Sequence, residues 1–146
     1  MDWIKVEQID VVLDNMAVMP TKAHDADAGF DLYMPIGTVG ICRPMDSMEV
    51  DTGVHMLIPK GYCGIIMSKS GLNIKYGLTS TGLIDAGYTG SIRVKLYNYG
   101  NKNVTFKGGD KLTQIVILPI PEVELMQVES LPETERGENG FGSSGR

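Results

Sequence analysis

Asp85 and Tyr88 are the pair of side chains in this sequence best suited to small-molecule chemistry. They lie in the stretch G-L-I-D-A-G-Y-T-G at residues 82–90, where an apolar run leads into a tight turn and Gly87 and Gly90 allow sharp or left-handed backbone. A carboxylate can take a proton or bind a hydroxyl, and an aromatic ring can cover a flat or apolar face of a ligand. An ordinary Asp-Gly hairpin with an edge tyrosine has the same pattern, since Asp and Gly dominate turns for local reasons. The stretch therefore predicts a hairpin that is either a ligand site or a simple turn.

Two further segments place polar groups beside short apolar runs. In S-K-S-G-L at 68–72, a strand-to-helix turn would present backbone N–H groups, a hydroxyl and a cation to an anion, although N-capping by Ser70 explains the same pattern. In A-G-F-D-L-Y at 28–33, Asp31 lies in an otherwise apolar strand-like run, where an unpaired carboxylate would be costly. Asp31 is therefore either paired with backbone or cationic groups in a structural role or placed near a metal-bound anion.

Gln114 is the polar member of an otherwise apolar predicted strand. The segment K-G-G-D-K-L-T-Q-I at 107–115 begins with a turn at its glycines and continues into that strand. A buried glutamine needs hydrogen-bond partners. Gln114 is therefore predicted to belong to a polar network or to contact a ligand.

The chain changes character at about Glu129. From there it has few apolar residues, and four glycines fall within its final ten positions, so it cannot bury enough surface to fold alone. One interpretation is a disordered tail. The other is a flap over a nucleotide, because glycine N–H groups, hydroxyls and a cation can bind phosphate oxygens and a ring can stack on a base. The groups available for this are Arg136, Phe141, Gly142, Ser143 and Ser144. We predict a folded domain over 1–128 and a flexible tail over 129–146.

Composition limits the classes of function. The chain has 146 residues, 13 Lys plus Arg and 18 Asp plus Glu, giving a net charge of −5, which disfavours binding of polymeric nucleic acid but not of one nucleotide. Two cysteines and two histidines are too few and too scattered to predict a disulfide framework or a zinc site. No apolar run approaches the ~18 residues of a membrane span, and the N-terminus has no signal-peptide pattern. A cytoplasmic protein that does not enter the membrane is the expectation.

Short strands at regular spacing predict the fold. Glycine and proline interrupt the chain every few residues, and long helical periodicity is absent apart from one or two turns at Ser70–Tyr76. In I-R-V-K-L-Y-N, alternation predicts that Ile92, Val94 and Leu96 face a core. The runs predicted as strands are Ile4–Ile9, Ser47–Val50, Val54–Ile58, Tyr62–Met67, Ile92–Asn98, Val104–Phe106 and Leu112–Leu118. The pattern predicts an all-β barrel or sandwich with one short helix.

In their order and separation, these segments resemble the five motifs of the trimeric dUTPase family. The motifs are A-G-F-D-L-Y at 28–33, S-K-S-G-L at 68–72, G-L-I-D-A-G-Y-T-G at 82–90, K-G-G-D-K-L-T-Q at 107–114 and R-G-E-N-G-F-G-S-S-G at 136–145. The resemblance spans nearly the whole chain, and the third and fifth motifs together are highly specific. It implies a jelly-roll-like fold and a homotrimer whose active sites lie between subunits. It also implies cleavage of dUTP to dUMP and pyrophosphate with Mg²⁺ on the triphosphate, which limits uracil in DNA and supplies dUMP for thymidylate synthesis.

The resemblance also implies roles for particular residues. Asp85 would be the general base that activates water, and Tyr88 would pack on the deoxyribose and leave no room for a 2′-hydroxyl. Asp31 would act structurally or reach Mg²⁺ through water. The uracil edge would be read by the backbone of Gly82, Leu83 and Ile84 and of the turn that follows. Phosphate oxygens would be held by Lys69, Ser70, Gly71 and Gln114. The tail would supply Arg136, Gly142, Ser143 and Ser144 for the outer phosphates and Phe141 for stacking over uracil.

Two departures and two alternatives accompany this resemblance. Lys69 stands where the family usually has Arg and keeps the charge without the bidentate fork, while Ser68 stands where Pro is common. Ser144 replaces a common Thr and keeps the hydroxyl. The related dCTP deaminases share the fold, but their catalytic Glu corresponds to Lys95, which cannot perform the same proton transfers. A regulatory protein that uses the fold to bind a partner is the other alternative, against which the intact motifs argue.

Overall fold

Short antiparallel strands dominate the structure, a computed structural model that describes residues 7–142. The strands are β1 (Asp10–Leu13), β2 (Gly29–Tyr33), β3 (Val39–Cys42), β4 (Ser47–Asp51), β5 (Val54–Leu57), β6 (Tyr62–Met67), β7 (Leu78–Thr79), β8 (Thr81–Ile84), β9 (Arg93–Asn98), β10 (Val104–Lys107) and β11 (Lys111–Pro119). Within the described residues the only helix is α1, Ser70–Tyr76, where sequence predicted it. The predicted all-β, jelly-roll-like architecture with one short helix is confirmed.

The strands form four antiparallel sheets. The largest has the order β2-β11-β6-β8, a second has the order β4-β9-β7, and two-stranded pairs join β1 to β5 and β3 to β10. Their inner faces enclose one apolar core, in which Leu32, Leu96, Leu112 and Ile115 are almost completely buried. The sheets therefore pack as a sandwich, and β11 lies in the middle of the largest sheet.

Alternation in β9 decides which face of its sheet is buried. Val94, Leu96 and Asn98 are buried, while Arg93, Lys95 and Tyr97 are exposed, as the period of two predicted. The first strand begins later than the predicted run Ile4–Ile9. The first three residues of that run lie outside the described part, residues 7–9 have no regular structure, and β1 starts at Asp10.

After β11 the chain continues as an extended, exposed segment. Residues 120–142 contain no strand or helix, and Leu125, Met126 and Leu131 are each at least 80% exposed. The amide of Ile120 still donates to the carbonyl of Gly61, but beyond it the apolar side chains lie away from this chain's core. The segment begins nine residues before Glu129, and the boundary predicted at 128 stays a prediction.

Candidate active site

Three of the polar segments meet in the largest sheet. β11 pairs with β2 and β6 at once, and this register sets Asp31 and Met67 on either side of Gln114. Ser68 and Lys69 follow directly after Met67, in the turn between β6 and α1, so they lie at the end of β6 that is next to Gln114. Segments separated by more than 80 positions in the sequence thus become neighbours.

Asp31 is a buried carboxylate held by two lysines. Its relative exposure is 2%, and its oxygens lie 2.5 Å from Lys69 Nζ and 3.2 Å from Lys111 Nζ. The hydrogen bond and the negative charge of Asp31 raise the pKa of Lys111. Of the two interpretations of Asp31, the pairing favours the structural one, because two cations offset the cost of burying its charge.

Lys111 did not stand out in the sequence. It is one of two lysines in K-G-G-D-K-L-T-Q, and nothing in that segment links it to Asp31. The partnership depends on the cross-strand register, in which Lys111 pairs with Tyr33 and the strands shift register before Thr113. Only the paired strands bring its ammonium to the carboxylate.

Gln114 belongs to a hydrogen-bond network at the end of β6. Its Nε2 donates to the carbonyl of Ser68 at 3.0 Å, and the hydroxyl of Ser68 accepts from the amide of Ser80 at 2.9 Å. A side chain at Gly29 would collide with the Gln114 amide, so glycine there leaves room for it. The network holds the turn between β6 and α1, and the role of Gln114 as a ligand contact stays a prediction.

Helix α1 begins immediately after that turn. Lys69 occupies the N-cap position with extended backbone and makes no side-chain capping bond, and Ser70 is the first helical residue. The alternative in which Ser70 is the N-cap is therefore wrong. Ser70 and Gly71 are both exposed, so the first two residues of α1 are open to solvent.

Asp85 follows β8 at the start of an exposed turn. Gly87 has φ of 83°, a left-handed conformation that favours glycine, and its amide donates to the carbonyl of Ile58 at 3.1 Å. Among the described residues, the Asp85 side chain has no hydrogen-bond or ion-pair partner. The turn thus offers an exposed carboxylate on an anchored backbone.

The Tyr88 ring folds back over the same turn. Its hydroxyl donates to the carbonyl of Ser91 at 2.8 Å, and the side chain remains 44% exposed. Gly90 does not have a positive φ, contrary to the expectation that both glycines serve backbone geometry; a side chain there would instead collide with the Tyr88 ring. Gly90 therefore allows close approach of the ring.

Two side chains that sequence patterns did not identify fasten this turn to the sandwich. His55 Nδ1 lies 2.7 Å from the carbonyl oxygen of Thr89, and the Ser91 hydroxyl donates to Asp51. That bond and one from the amide of Gly53 lower the pKa of Asp51. Neither His55 nor Asp51 lies in the five motifs, and no periodic pattern links them to the turn.

The turn of Asp85 and the turn of Ser70 lie at opposite ends of one strand pair. β6 and β8 are antiparallel, with Ile84 opposite Gly64 and Thr81 opposite Met67. These two residue pairs are three positions apart along the strands, a distance of about 10 Å at ~3.3 Å per residue. Since Asp85 and Ser70 lie still further out, one chain does not bring them together.

The last described residues do not pack on the sandwich. Arg136 Nε donates to the carbonyl of Asn139 at 2.7 Å within a local turn, and the Phe141 ring is fully exposed, next to an exposed Gly142. Ser143 and Ser144 lie outside the described residues. Within residues 7–142, no three His, Cys, Asp or Glu side chains cluster as metal ligands, and no helix is long and apolar enough to cross a membrane.

Comparisons with known proteins agree with the geometry of the motifs. The sequence model of the dUTPase family matches residues 15–145. The chain is 38% identical over 150 residues to the deoxyuridine 5′-triphosphate nucleotidohydrolase of Wolbachia pipientis, covering 99% of this chain and 98% of that protein. It is 36% identical over 146 residues to the enzyme of the same name from Gloeobacter violaceus, covering 96% and 99%.

Solved structures give the same result. The dUTPase of Staphylococcus bacteriophage 80alpha with dUPNHPP superposes with a TM-score of 0.87 and 30% identity, over 97% of this chain and 100% of that one. A variant dUTPase of the S. aureus phage phi11, described with a coordinated structural Mg(II) ion, gives a TM-score of 0.77 and 30% identity over 85% and 98%. By sequence and by fold, the chain belongs to the dUTPase family.

Proposed function

We propose that the protein hydrolyses dUTP to dUMP and pyrophosphate, with Asp85 as the general base. The observation that carries this proposal is the exposed Asp85 carboxylate, which has no side-chain partner within residues 7–142 and lies on a turn anchored to the sandwich. A carboxylate free of hydrogen bonds can accept a proton from water, and a rigid backbone keeps it in place. The relatives named above are all dUTP nucleotidohydrolases, and nothing in them supports the deaminase alternative.

Tyr88 and strand β8 suit the nucleoside. The Tyr88 ring, fixed by its bond to Ser91, offers a flat apolar surface for the deoxyribose and no partner for a 2′-hydroxyl. β8 is an edge strand of its sheet, so one side of its backbone at Gly82, Leu83 and Ile84 has N–H and C=O groups that no neighbouring strand pairs. Such groups can form hydrogen bonds with the edge of uracil as a further strand would.

The turn before α1 suits the phosphates. Ser70 and Gly71 present a hydroxyl and backbone N–H groups, and Gln114 lies beside them through its bond to Ser68. Lys69 would add a positive charge. Its ammonium is already bonded to Asp31, so we infer that Lys69 shares its charge between Asp31 and a phosphate, where the usual arginine would have further N–H groups to offer.

Mg²⁺ would enter with the substrate, as a Mg²⁺–dUTP complex. Mg²⁺ prefers phosphate and water oxygens to a cage made only of protein groups. Both oxygens of Asp31 accept from lysines, so this carboxylate fits a contact to the ion through water better than direct ligation. Asp31 would thereby place the lysines and orient the hydrated ion at the same time.

We infer a homotrimer whose active sites are shared between subunits. Two features of the single chain support it: Asp85 and Ser70 lie at opposite ends of the β6–β8 pair, and the segment after β11 exposes apolar side chains with no partner in its own core. A neighbouring copy can supply what one chain separates. The tail of a third copy would then close over the nucleotide, through Phe141 on the base and Arg136, Gly142, Ser143 and Ser144 on the phosphates. We place the enzyme in the cytoplasm, where it would limit uracil in DNA and supply dUMP.

Replacing Asp85 with asparagine tests the central role. Turnover of Mg²⁺–dUTP should fall about 10²–10⁴-fold, while binding of a non-hydrolysable analogue survives, because the amide keeps the shape but cannot accept the proton. Asp25→Asn is the matched control, since Asp25 is also an exposed carboxylate without a side-chain partner among the described residues. A folded Asp85→Asn protein with more than a tenth of the original kcat would contradict the general-base role.

Mixing two inactive chains tests the shared site. One chain carries Asp85→Asn and the other ends before Arg136, so neither parent has a complete site. Refolding them together should restore activity, because some sites would combine an intact Asp85 with an intact tail from another subunit. No recovery, in mixtures shown by mass to contain mixed trimers, would mean that each chain closes its tail over its own Asp85.

A further inference from the structure

His55 links the turn of Asp85 to a different part of the sandwich. It lies in β5 opposite Val12 of β1, and its side chain spans from the turn to the loop after β1. Nδ1 lies 2.7 Å from the carbonyl oxygen of Thr89, and Nε2 lies 3.0 Å from Oδ1 of Asp14. None of the five motifs includes this residue, so the motifs alone assign it no role.

The two partners of His55 require a specific protonation state. A peptide carbonyl can only accept a hydrogen bond, and an ionised carboxylate likewise only accepts. Both ring nitrogens must therefore donate, and only the imidazolium form carries two N–H groups. A neutral ring has one N–H and can keep one of the two bonds.

The charges around His55 favour that form. Asp14 faces it from the loop after β1, Asp51 from the end of β4, and Asp10 of β1 lines the same surface depression. Arg93, whose positive charge acts on Asp51, is paired with Glu49 at 2.8 Å. The bond to the Thr89 carbonyl and the Asp14 carboxylate raise the pKa of His55 above its ordinary value of 6.5.

The link to Thr89 differs from the other attachments of the turn. Gly87 is held by a backbone bond to Ile58, and Ser91 by its bond to Asp51, which is ionised at neutral pH. Neither of these changes protonation between about pH 6 and 9. His55 is thus the one attachment of the three that contains a group whose ordinary pKa lies near neutrality, and Thr89 lies directly beside Tyr88.

We propose that His55 is a positioning residue of this site: its imidazolium holds the Thr89 carbonyl and Asp14 together, and so fixes the turn that presents Asp85 and Tyr88. The role of the turn in catalysis rests on the proposed function, whereas the attachment itself does not. Because the folded pKa of His55 is raised, both bonds are present below about pH 6.5, and one of the two is lost as pH rises through the folded value. Loss of the proton would leave Asp85 in place on a looser turn.

Nuclear magnetic resonance of the unaltered protein tests the attachment without using activity. The ring proton of His55 should titrate with a pKa above 6.5, and the amides of Gly87 and Thr89 should shift and exchange faster with the same midpoint. Asp14→Asn should lower that midpoint for the ring and the amides together, because it removes the carboxylate that favours the cation. A His55 pKa at or below 6.5, or turn amides that ignore its titration, would overturn the proposal.

Kinetics then test whether the attachment positions the site. In His55→Gln, kcat/KM for Mg²⁺–dUTP should be about 10-fold lower at pH 6.5, and the ratio to the unaltered protein should approach one at high pH. His24→Gln is the matched control, because His24 is bonded only to the nearby Asp27 on an exposed loop. A defect that is the same at every pH would indicate a merely structural role for His55 and contradict the inference.

The two proposals fail in different ways. If Asp85→Asn retains turnover while the turn amides follow the titration of His55, the catalytic role of Asp85 is wrong and the attachment stands. If Asp85→Asn is inactive while the amides do not respond, the proposed function stands and the inference about His55 is wrong.

Discussion

Replacing Gly90 with alanine should displace the Tyr88 ring without straining the backbone. A Cβ at position 90 would lie within 3.0 Å of three atoms of the Tyr88 side chain, its three nearest neighbours. Gly90 does not have a positive φ, so alanine can adopt its backbone conformation. The whole effect of the substitution should therefore pass through the tyrosine.

The magnitude follows from what the ring loses. Moving it breaks the 2.8 Å bond from its hydroxyl to the Ser91 carbonyl, a bond of about 0.5–1.5 kcal/mol in net terms. Overpacking in a closed core costs about 1–3 kcal/mol, but the exposed ring can swing into solvent, so we expect a total of about 1–2 kcal/mol. The surface for deoxyribose moves with the ring. We therefore expect kcat/KM for dUTP to fall about 10-fold and the ratio of UTP to dUTP activity to rise.

A double-mutant cycle isolates this mechanism. Urea unfolding at one fixed protein concentration is compared for the unaltered chain, Gly90→Ala, Tyr88→Ala and the double variant, since oligomer stability depends on concentration. The loss caused by Gly90→Ala should nearly vanish when Tyr88 is already alanine. Gly87→Ala is the control: φ of 83° and open space around it predict a strain of about 1–2 kcal/mol with or without the ring. An equal loss from Gly90→Ala in both backgrounds would refute the argument.

Three further outcomes are expected. Lys69→Met should lower the free energy of unfolding by about 2 kcal/mol, which is less than the ~3–5 kcal/mol lost when a buried charge loses its sole partner, because Lys111 still faces Asp31. Lys111→Met removes the more exposed lysine and should lower the free energy of unfolding less. The reverse order in urea unfolding would contradict this. The lowered pKa of Asp51 contributes stability above about pH 3.8, and this stability is lost as pH falls through the folded pKa. The thermal midpoint of Asp51→Asn should therefore differ from that of the unaltered chain at pH 6 and converge with it in acid. A difference that stays constant with pH would contradict this role of Asp51. Phe141→Ala should lower kcat/KM for dUTP and leave the fold and the oligomer intact, because the ring is fully exposed. A loss of thermal stability without ligand would contradict this.

Local patterns were sufficient where a local cause decides the structure. The alternation in β9, the helix at Ser70–Tyr76 and the turn after Ile84 all follow from side-chain period, glycine placement and apolar content within a few residues. The five motifs identified the family because each is a contiguous segment, so their order and spacing can be read directly from the sequence. Prediction was less accurate for strands whose apolar and polar residues do not alternate. For that reason the start of β1 was predicted too early and β3 was not predicted.

Contacts between distant segments were decided by tertiary structure. Asp31 is paired with Lys69 and Lys111 only because β11 lies between β2 and β6, and His55 reaches Thr89 only because β5 ends beside the turn of Asp85. The sequence by itself determined the chemistry available to this protein, namely a carboxylate, a ring and a glycine-rich turn within nine residues. Which cations offset Asp31, why Gly90 must be small, and how far Asp85 lies from Ser70 depend on strand register, and register is a property of paired strands that no single segment contains.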